Sequence, residues 1–450
     1  MTTPAALPPT DLAHGVVRRI YGNLGKLMGG KAIAGIISLA YMMLAIRVLG
    51  ARDYGVLILV HAYTVMVGGL IEFPGWHAVV RYGAQATRVG DSGRLLRLLR
   101  LAGIVELSSG ALAFATAALL APVIGPRLGW TPTAIAFATP YSLAVLATIR
   151  SAPAGYLQLV GRFDLLGIHN VVAPTVRLMG ALIAFATGGG LHAFLVAWLA
   201  AALAEWAAMW ALGWVIARRA MPGRQLIGSA RGAIGENPGI WRFMLAANAD
   251  ATFGELSPRI APLFVGWILG PIGAGLYAVG QRATTAIAQP AGNLGHASYA
   301  ELARLLAAGG RPSELRHVVI RSIMLALAAA FPFFLIVSVF GEKLAVLIGG
   351  EGFRAAGTIM LWLIAARVVL LVSPSTSAAL VALGRPGLSV VANVICSLGL
   401  LPLLPFFLRG YGLGGAGLHA FLTSCAVALA LGILTWRASA QTPLRISPSG

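Results

Sequence analysis

Polar side chains recur at helical spacing inside stretches that are otherwise apolar. Asn248, Thr252, Glu255 and Arg259 lie four, three and four residues apart, which places them on one face of a helix. Arg282, Thr285, Gln289, Asn293 and His296 keep a second such face, and His61, Thr64 and Glu72 repeat the spacing of Arg282, Thr285 and Asn293 at an offset of 221. Guanidinium groups grip anions bidentately, amides and hydroxyls hydrogen-bond a polyol, and a carboxylate can carry a proton or a cation. Arg259 and Arg282 fall at similar depth on adjacent helices, near enough to share one anion, and Arg177 is a further cation inside an apolar run, as are Arg150 and Arg367. Asn248, Thr252, Gln289, Asn293 and His61 are candidates to line a polar path, with Lys31 at its entrance. Glu72, Asp250 and Glu255 are candidates for ion coupling; Asp250 sits opposite the Glu255 stripe and either pairs with another helix or titrates.

The elements that carry these stripes belong in lipid. With 58% hydrophobic and 10% charged residues and a mean hydropathy of +0.84, the chain departs from soluble globules, in which roughly a quarter of residues are charged. Twelve stretches reach the roughly 20 residues needed to cross a bilayer: near 27–49, 54–75, 101–125, 132–157, 165–187, 191–217, 241–269, 273–297, 317–341, 355–380, 387–408 and 415–437. At membrane depth a central charge costs about 2.5 to 3.5 kcal/mol even on insertion scales. The stripes therefore face water, or else act as glue between helices, with Glu255 and Arg259 a simple i, i+4 ion pair.

The chain is also duplicated. Gly190 to Leu195 reads Gly-Leu-His-Ala-Phe-Leu, and Gly417 to Leu422 reads the same. Gly161-Arg162 recurs as Gly384-Arg385, Asn170 as Asn393 and Leu49-Gly50 as Leu269-Gly270, at offsets of 227, 223, 223 and 220. Six helices per half is an even number, so the halves are expected as parallel repeats. The expected fold is an all-α polytopic membrane protein of twelve transmembrane helices, two six-helix repeats around a central cavity. Residues 1–217 form the first bundle, 218–239 a basic cytoplasmic linker, and 240–450 the second bundle with a short tail. His192 and His419 are expected to cap or pack the ends of their helices.

Net charge is +19, but the cations cluster on one side of the spans, as the positive-inside rule requires. Topology rather than nucleic acid explains the basicity, and both termini are expected in the cytoplasm. Asp91 to Leu101 carries Arg94, Arg97 and Arg100 on one side and leucines on the other. That pattern predicts a short helix lying on lipid headgroups, with Pro312 to Arg321 as its counterpart. Gly25 to Ala32 (GKLMGGKA) nearly matches a phosphate-binding loop, but a membrane span follows it and no strand precedes it, so no nucleotide is expected. Cys396 and Cys425 fall inside spans and imply no disulfide. No metal, cofactor or catalytic constellation is expected, and the chain is read as a non-enzyme.

Arg47-x-Leu49-Gly50-x-x-x-Tyr54-Gly55, with Leu269-Gly270 and Gly275-Leu276-Tyr277-Ala278 in the second half and Asn23 and Lys31 near the start, resembles the Wzx-like polysaccharide flippases of the multidrug/oligosaccharidyl-lipid/polysaccharide exporter superfamily. The resemblance runs from about residue 20 to 437. It implies two bundles around a cationic cavity and export of an undecaprenyl-diphosphate-linked oligosaccharide across the bacterial inner membrane by alternating access. In that setting Arg177, Arg259, Arg282 and Lys31 are the candidates for the diphosphate. Partners would be that lipid-linked substrate, membrane lipids and a polysaccharide polymerase or glycosyltransferases, with the chain itself a monomer. The alternative in the same superfamily is a cation-coupled antiporter of small molecules or drugs. A membrane-embedded glycosyltransferase or polymerase would need a large outer loop, which the spacing of the spans does not leave.

Overall fold

The computed structural model describes residues 9–307 and 312–440, with the side chains of residues 9–24, 26, 246, 249–251, 253–255, 257, 283, 285–307, 312 and 386 outside the described set. Helices occupy nearly all of it: α1 (Pro9–Ile71), α2 (Trp76–Arg88), α3 (Ser92–Arg127), α4 (Pro132–Tyr141), α5 (Ser151–Leu159), α6 (Phe163–Thr187), α7 (Leu191–Ala220), α8 (Ala233–Glu236), α9 (Ile240–Ala307), α10 (Pro312–Gly349), α11 (Ala356–Leu370), α12 (Val372–Ala382), α13 (Pro386–Gly399) and α14 (Leu404–Ala440). Two of them are two spans joined end to end at one glycine, Gly50 in α1 and Gly270 in α9, and α14 kinks at Gly412 after eight residues that continue the span begun by α13. A 3-10 turn (Ser142–Thr148) joins α4 to α5, and α11 runs into α12. Counted as crossings, these elements give the twelve spans and two repeats expected from the sequence.

The repeat reappears as geometry. Gly50 takes φ 69°, ψ −179° and Gly270 takes φ 74°, ψ −178°, a backbone region essentially closed to residues with a Cβ. Gly161 and Gly384 end their helices at φ 74° and 76°. Beyond each, the arginine N–H closes the same ring, Arg162 to the Leu157 carbonyl and Arg385 to that of Leu380, both at 2.8 Å. This glycine cap satisfies carbonyls that the helix end would leave bare.

The chain forms two compact units. One comprises Met1–Val48, Thr64–Val123 and Pro132–Ala249, and the other Leu49–Tyr63, Ile124–Thr131 and Asp250–Gly450. In the first, α1 crosses α6 so closely that a Cβ on Gly30 would fall 2.0 Å from the Gly167 carbonyl oxygen. The glycines of the GKLMGGKA stretch thus belong to a continuous helix, where Gly30 serves packing. In the second unit, a Cβ on Gly55 would meet the Pro271 carbonyl at 1.8 Å, and one on Gly275 would meet that of Ala51 at 3.0 Å. Positions 51 and 55 correspond to 271 and 275 at the 220 offset, so one crossing is made twice, related by the repeat. Tyr54 packs edge-on to Phe353, centroids 6.2 Å apart. These contacts give the Arg47 to Gly55 motif a packing role.

One expectation needs correction. Asp91 to Leu101 is no separate interfacial helix: Asp91 caps α3, its Oδ1 accepting the Arg94 N–H at 2.8 Å, and the helix runs on unbroken to Arg127. Its arginines hold the linker instead of lipid. Arg94 donates to Asn237 Oδ1 at 3.1 and 3.0 Å, Arg97 pairs with Glu236 at 2.6 Å, and Arg100 donates to the carbonyls of Gln225, Leu226, Ile227 and Ser229. In the second unit Arg316 does the same to the end of α14, stacking 3.7 Å over the Trp436 ring and donating to Ser439 Oγ at 2.9 Å.

Candidate functional site

Two spans of the first unit are broken, and the breaks face one another. The second span unwinds over residues 72–75 (Glu-Phe-Pro-Gly) before α2 begins, and the fourth restarts at Ser151 after its 3-10 turn. Unwound backbone inside a protein needs partners for its hydrogen-bonding groups, and α3 supplies them here. Ser109 Oγ accepts the Phe73 N–H at 3.1 Å. Glu106, wholly buried, accepts the Ser151 N–H with one oxygen and the Ala152 N–H at 2.7 Å with the other. A carboxylate thus sits at the positive end of half-helix α5. Ser151 Oγ donates to Glu72 Oε1 at 3.1 Å, which links Glu72 to Glu106 through one hydroxyl.

Arg150, at the start of α5, extends the network. Its Nη1 lies 2.6 Å from Glu205 Oε1 on α7 and 3.4 Å from His169 Nδ1 on α6. His169 Nε2 lies 2.9 Å from the Glu205 carbonyl. These partners suit the neutral imidazole with its proton on Nε2, donating to the carbonyl while Nδ1 accepts from Arg150. Two turns further along α6, Arg177 donates to Tyr41 Oη at 3.3 Å and lies 5.3 Å from the Trp198 ring centroid. Tyr41 and Trp198 meet edge-on at 5.2 Å, and the charge of Glu205 reaches Arg177.

Of the residues singled out in the sequence, Glu72, Arg150 and Arg177 join this network, where they meet Glu106 and Glu205. Asn248 is buried in the same unit, with neither amide atom bonded to a described residue. Lys31 is exposed on α1. Thr252, Arg259, Arg282 and His61 are half-buried in the second unit. The side chains of Asp250, Glu255, Gln289 and Asn293 lie outside the described residues. Sequence reading missed Ser151 and His169. Each is a lone polar residue with no periodic partner, so only the break in the fourth span could have drawn attention to them. His419 packs as expected, 6.0 Å from the Phe407 centroid with Nε2 on the Leu400 carbonyl at 2.8 Å, and His192 packs 4.9 Å from Phe137.

Residues 259–406 match the MatE family model. The chain is 26% identical over 297 residues to the inner membrane protein YghQ of Escherichia coli strain K12, covering 65% of this chain and 82% of that one. Its fold is shared with the inward-facing structure of a multidrug resistance MATE family transporter of the MOP superfamily, at 14% identity, TM-score 0.66, and coverage of 93% of this chain and 96% of that one. The Vibrio cholerae MATE transporter VcmN matches at 16% identity, TM-score 0.60, over 96% and 99% of the two chains. A MOP superfamily transporter from Pyrococcus furiosus, described by the reversed polarity of its binding pocket, matches at 15% identity, TM-score 0.60, over 93% and 95%. These likenesses establish the fold of a multi-pass membrane protein. They fall on MATE transporters, whereas the motifs had suggested the Wzx-like flippases of the same superfamily.

Proposed function

We propose that this chain, which carries a MatE segment and the fold of the MATE transporters, is a cation-coupled secondary transporter of small organic solutes in the bacterial inner membrane, with Glu72 as the coupling carboxylate. The observation that carries the reading is that three carboxyl groups, Glu72, Glu106 and Glu205, gather where two helices of the first unit break, with Arg150 and Arg177 beside them. A carboxyl group in such a cluster can hold a proton or a monovalent cation.

Glu106 is committed to two backbone N–H groups and Glu205 to Arg150. Glu72 instead meets a hydroxyl, which donates to a carboxylate and accepts from a carboxylic acid. It is therefore the member best able to change state as the cation comes and goes. The inner-membrane relative and the multidrug transporters of the same fold support both the location and the class of cargo.

The test is efflux of ethidium and norfloxacin from everted vesicles under an imposed proton or sodium gradient. Wild-type protein should show gradient-driven transport, and Glu72→Gln should lose it while keeping the wild-type Tm. Transport by Glu72→Gln at the wild-type rate, with the same ion dependence, would sink the proposal.

Arg177 between the rings of Tyr41 and Trp198 and the Asn248 amide, with no partner among the described residues, favour a second reading, export of an undecaprenyl-diphosphate-linked oligosaccharide for polysaccharide synthesis. Arg177, Arg259, Arg282 and Lys31 would then contact diphosphate, and Asn248 sugar. Deleting the chain should in that case strand lipid-linked oligosaccharide on the cytoplasmic leaflet, and Arg177→Ala should fail to restore export.

A further inference from the structure

The second unit encloses a cavity of about 280 Å3 whose single charged lining residue, among those described, is Arg367 of α11. Tyr277 and Gln281 of α9, Ser397 of α13 and Thr423 of α14 also line it. Other polar residues of the wall are already engaged: Thr284 Oγ1 donates to the Gln281 carbonyl at 2.7 Å, Asn393 Nδ2 to that of Ser389 at 2.9 Å, and Ser424 Oγ to that of Ala420 at 2.8 Å. These bonds fix the wall. Thr423 Oγ1 is different, being fully buried with no hydrogen-bond partner among the described residues.

A guanidinium inside a bundle normally has a carboxylate beside it, because burying an ion without a counter-charge costs several kcal/mol. No described Asp or Glu lines this cavity. Among the described residues, what lines the cavity around Arg367 is uncharged and rich in O–H and N–H donors, and Tyr277 lies within its field. Donors converging with a cation are an anion's environment.

We propose that this cavity binds a small organic monocarboxylate, held bidentately by Arg367 and hydrogen-bonded by Thr423, Ser397 and Tyr277. One guanidinium balances one negative charge, so a phosphate dianion or a diphosphate would remain undercompensated. The volume sits at the lower edge of the roughly 300 to 1,000 Å3 typical of ligand pockets, which admits a single-ring or short-chain acid and excludes a lipid-linked sugar. Planar carboxylate and planar guanidinium match in shape as well as charge. The site is separate from the Glu72 network, and its occupancy is an equilibrium property that requires no transport.

The experiment is isothermal titration calorimetry on the purified full-length protein in detergent, with three probes of nearly identical shape: benzoate, benzamide and benzamidine. Benzoate should bind, neutral benzamide should bind about tenfold more weakly or less, and cationic benzamidine should not bind. Arg367→Gln should weaken benzoate about tenfold or more, as expected when a charge-assisted hydrogen bond is lost, and Arg367→Lys should restore part of the affinity. Thr423→Val, nearly isosteric, should weaken it several-fold and leave Tm unchanged. Benzamidine binding as tightly as benzoate would overturn the proposal, as would wild-type benzoate affinity in folded Arg367→Gln. Should Arg367→Gln fail to fold, unchanged affinity in both Thr423→Val and Ser397→Ala would overturn it equally.

Discussion

The two units place arginine inside the membrane in opposite company. In the first, Arg150 meets Glu205 and His169, and Glu106 and Glu72 stand nearby, so the interior is crowded with both signs. In the second, Arg367 looks onto hydroxyls and amides with no described carboxylate in its cavity. The repeat makes the contrast pointed. At the offsets that align the halves, Glu72 corresponds to Asn293, Glu106 to Ala328 and Arg150 to Ser373. Duplication preserved the backbone at the glycine turns, Gly50 with Gly270 and Gly161 with Gly384, while the charges diverged. A fold of this kind can therefore house a cation-seeking site and an anion-seeking site in sibling halves.

The largest effect that would sharpen this contrast is expected at Glu106. Glu106→Ala leaves the first two N–H groups of α5 unsatisfied at membrane depth, and at about 1 to 3 kcal/mol for each buried orphan it should lower Tm by many degrees or abolish monodisperse protein in detergent. Ala at the aligned position of the second half, 328, is already native.

A paired substitution tests the comparison more directly. Arg150→Gln strands Glu205 and should cost about 1 to 3 kcal/mol, discounted because the pair is partly exposed, whereas Arg367→Gln removes a half-buried cation that has no described counter-ion in its cavity and should leave thermal stability equal or higher. Thermal denaturation of both variants in one detergent decides the matter. If Arg367→Gln proves as damaging as Arg150→Gln, the two interiors are alike after all.

The smallest effect concerns the arginines that start α3 and α10. Arg97→Ala frees Glu236 and should cost under about 1 kcal/mol, since both side chains are one-third exposed and such pairs are weak. It should nevertheless speed limited proteolysis between residues 221 and 239. Arg316→Ala, which loses a ring rather than a carboxylate, should speed cleavage near the end of α14 and leave the linker untouched.

The sequence disclosed the repeat, the spans and the intramembrane charges because each leaves a pattern that lipid enforces: long apolar runs, and rare polar residues that cannot be accidental. Leu49-Gly50 and Leu269-Gly270 were legible as markers before their shared backbone angles explained them. Glu72 and Arg177 were legible as candidates. The break in the fourth span was not, since residues 142–148 (Ser-Leu-Ala-Val-Leu-Ala-Thr) are mostly apolar and helix-compatible, and only tertiary support from Glu106 and Ser109 decides that the chain unwinds there and at residues 72–75. The stripe of Arg94, Arg97 and Arg100 was misread because a cationic face looks the same in sequence whether its partner is a lipid headgroup or the carbonyls of the chain's own linker. The pairing of Arg150 with Glu205 joins residues 55 positions apart, 205 less 150, which no local periodicity reveals.

The glycine turns at Gly50 and Gly270 also bear on how the protein is made. A connection one residue long leaves no loop to emerge from the bilayer, so the first span of each pair has nowhere to end until the second has been synthesised. Each pair should therefore leave the insertion machinery as a hairpin.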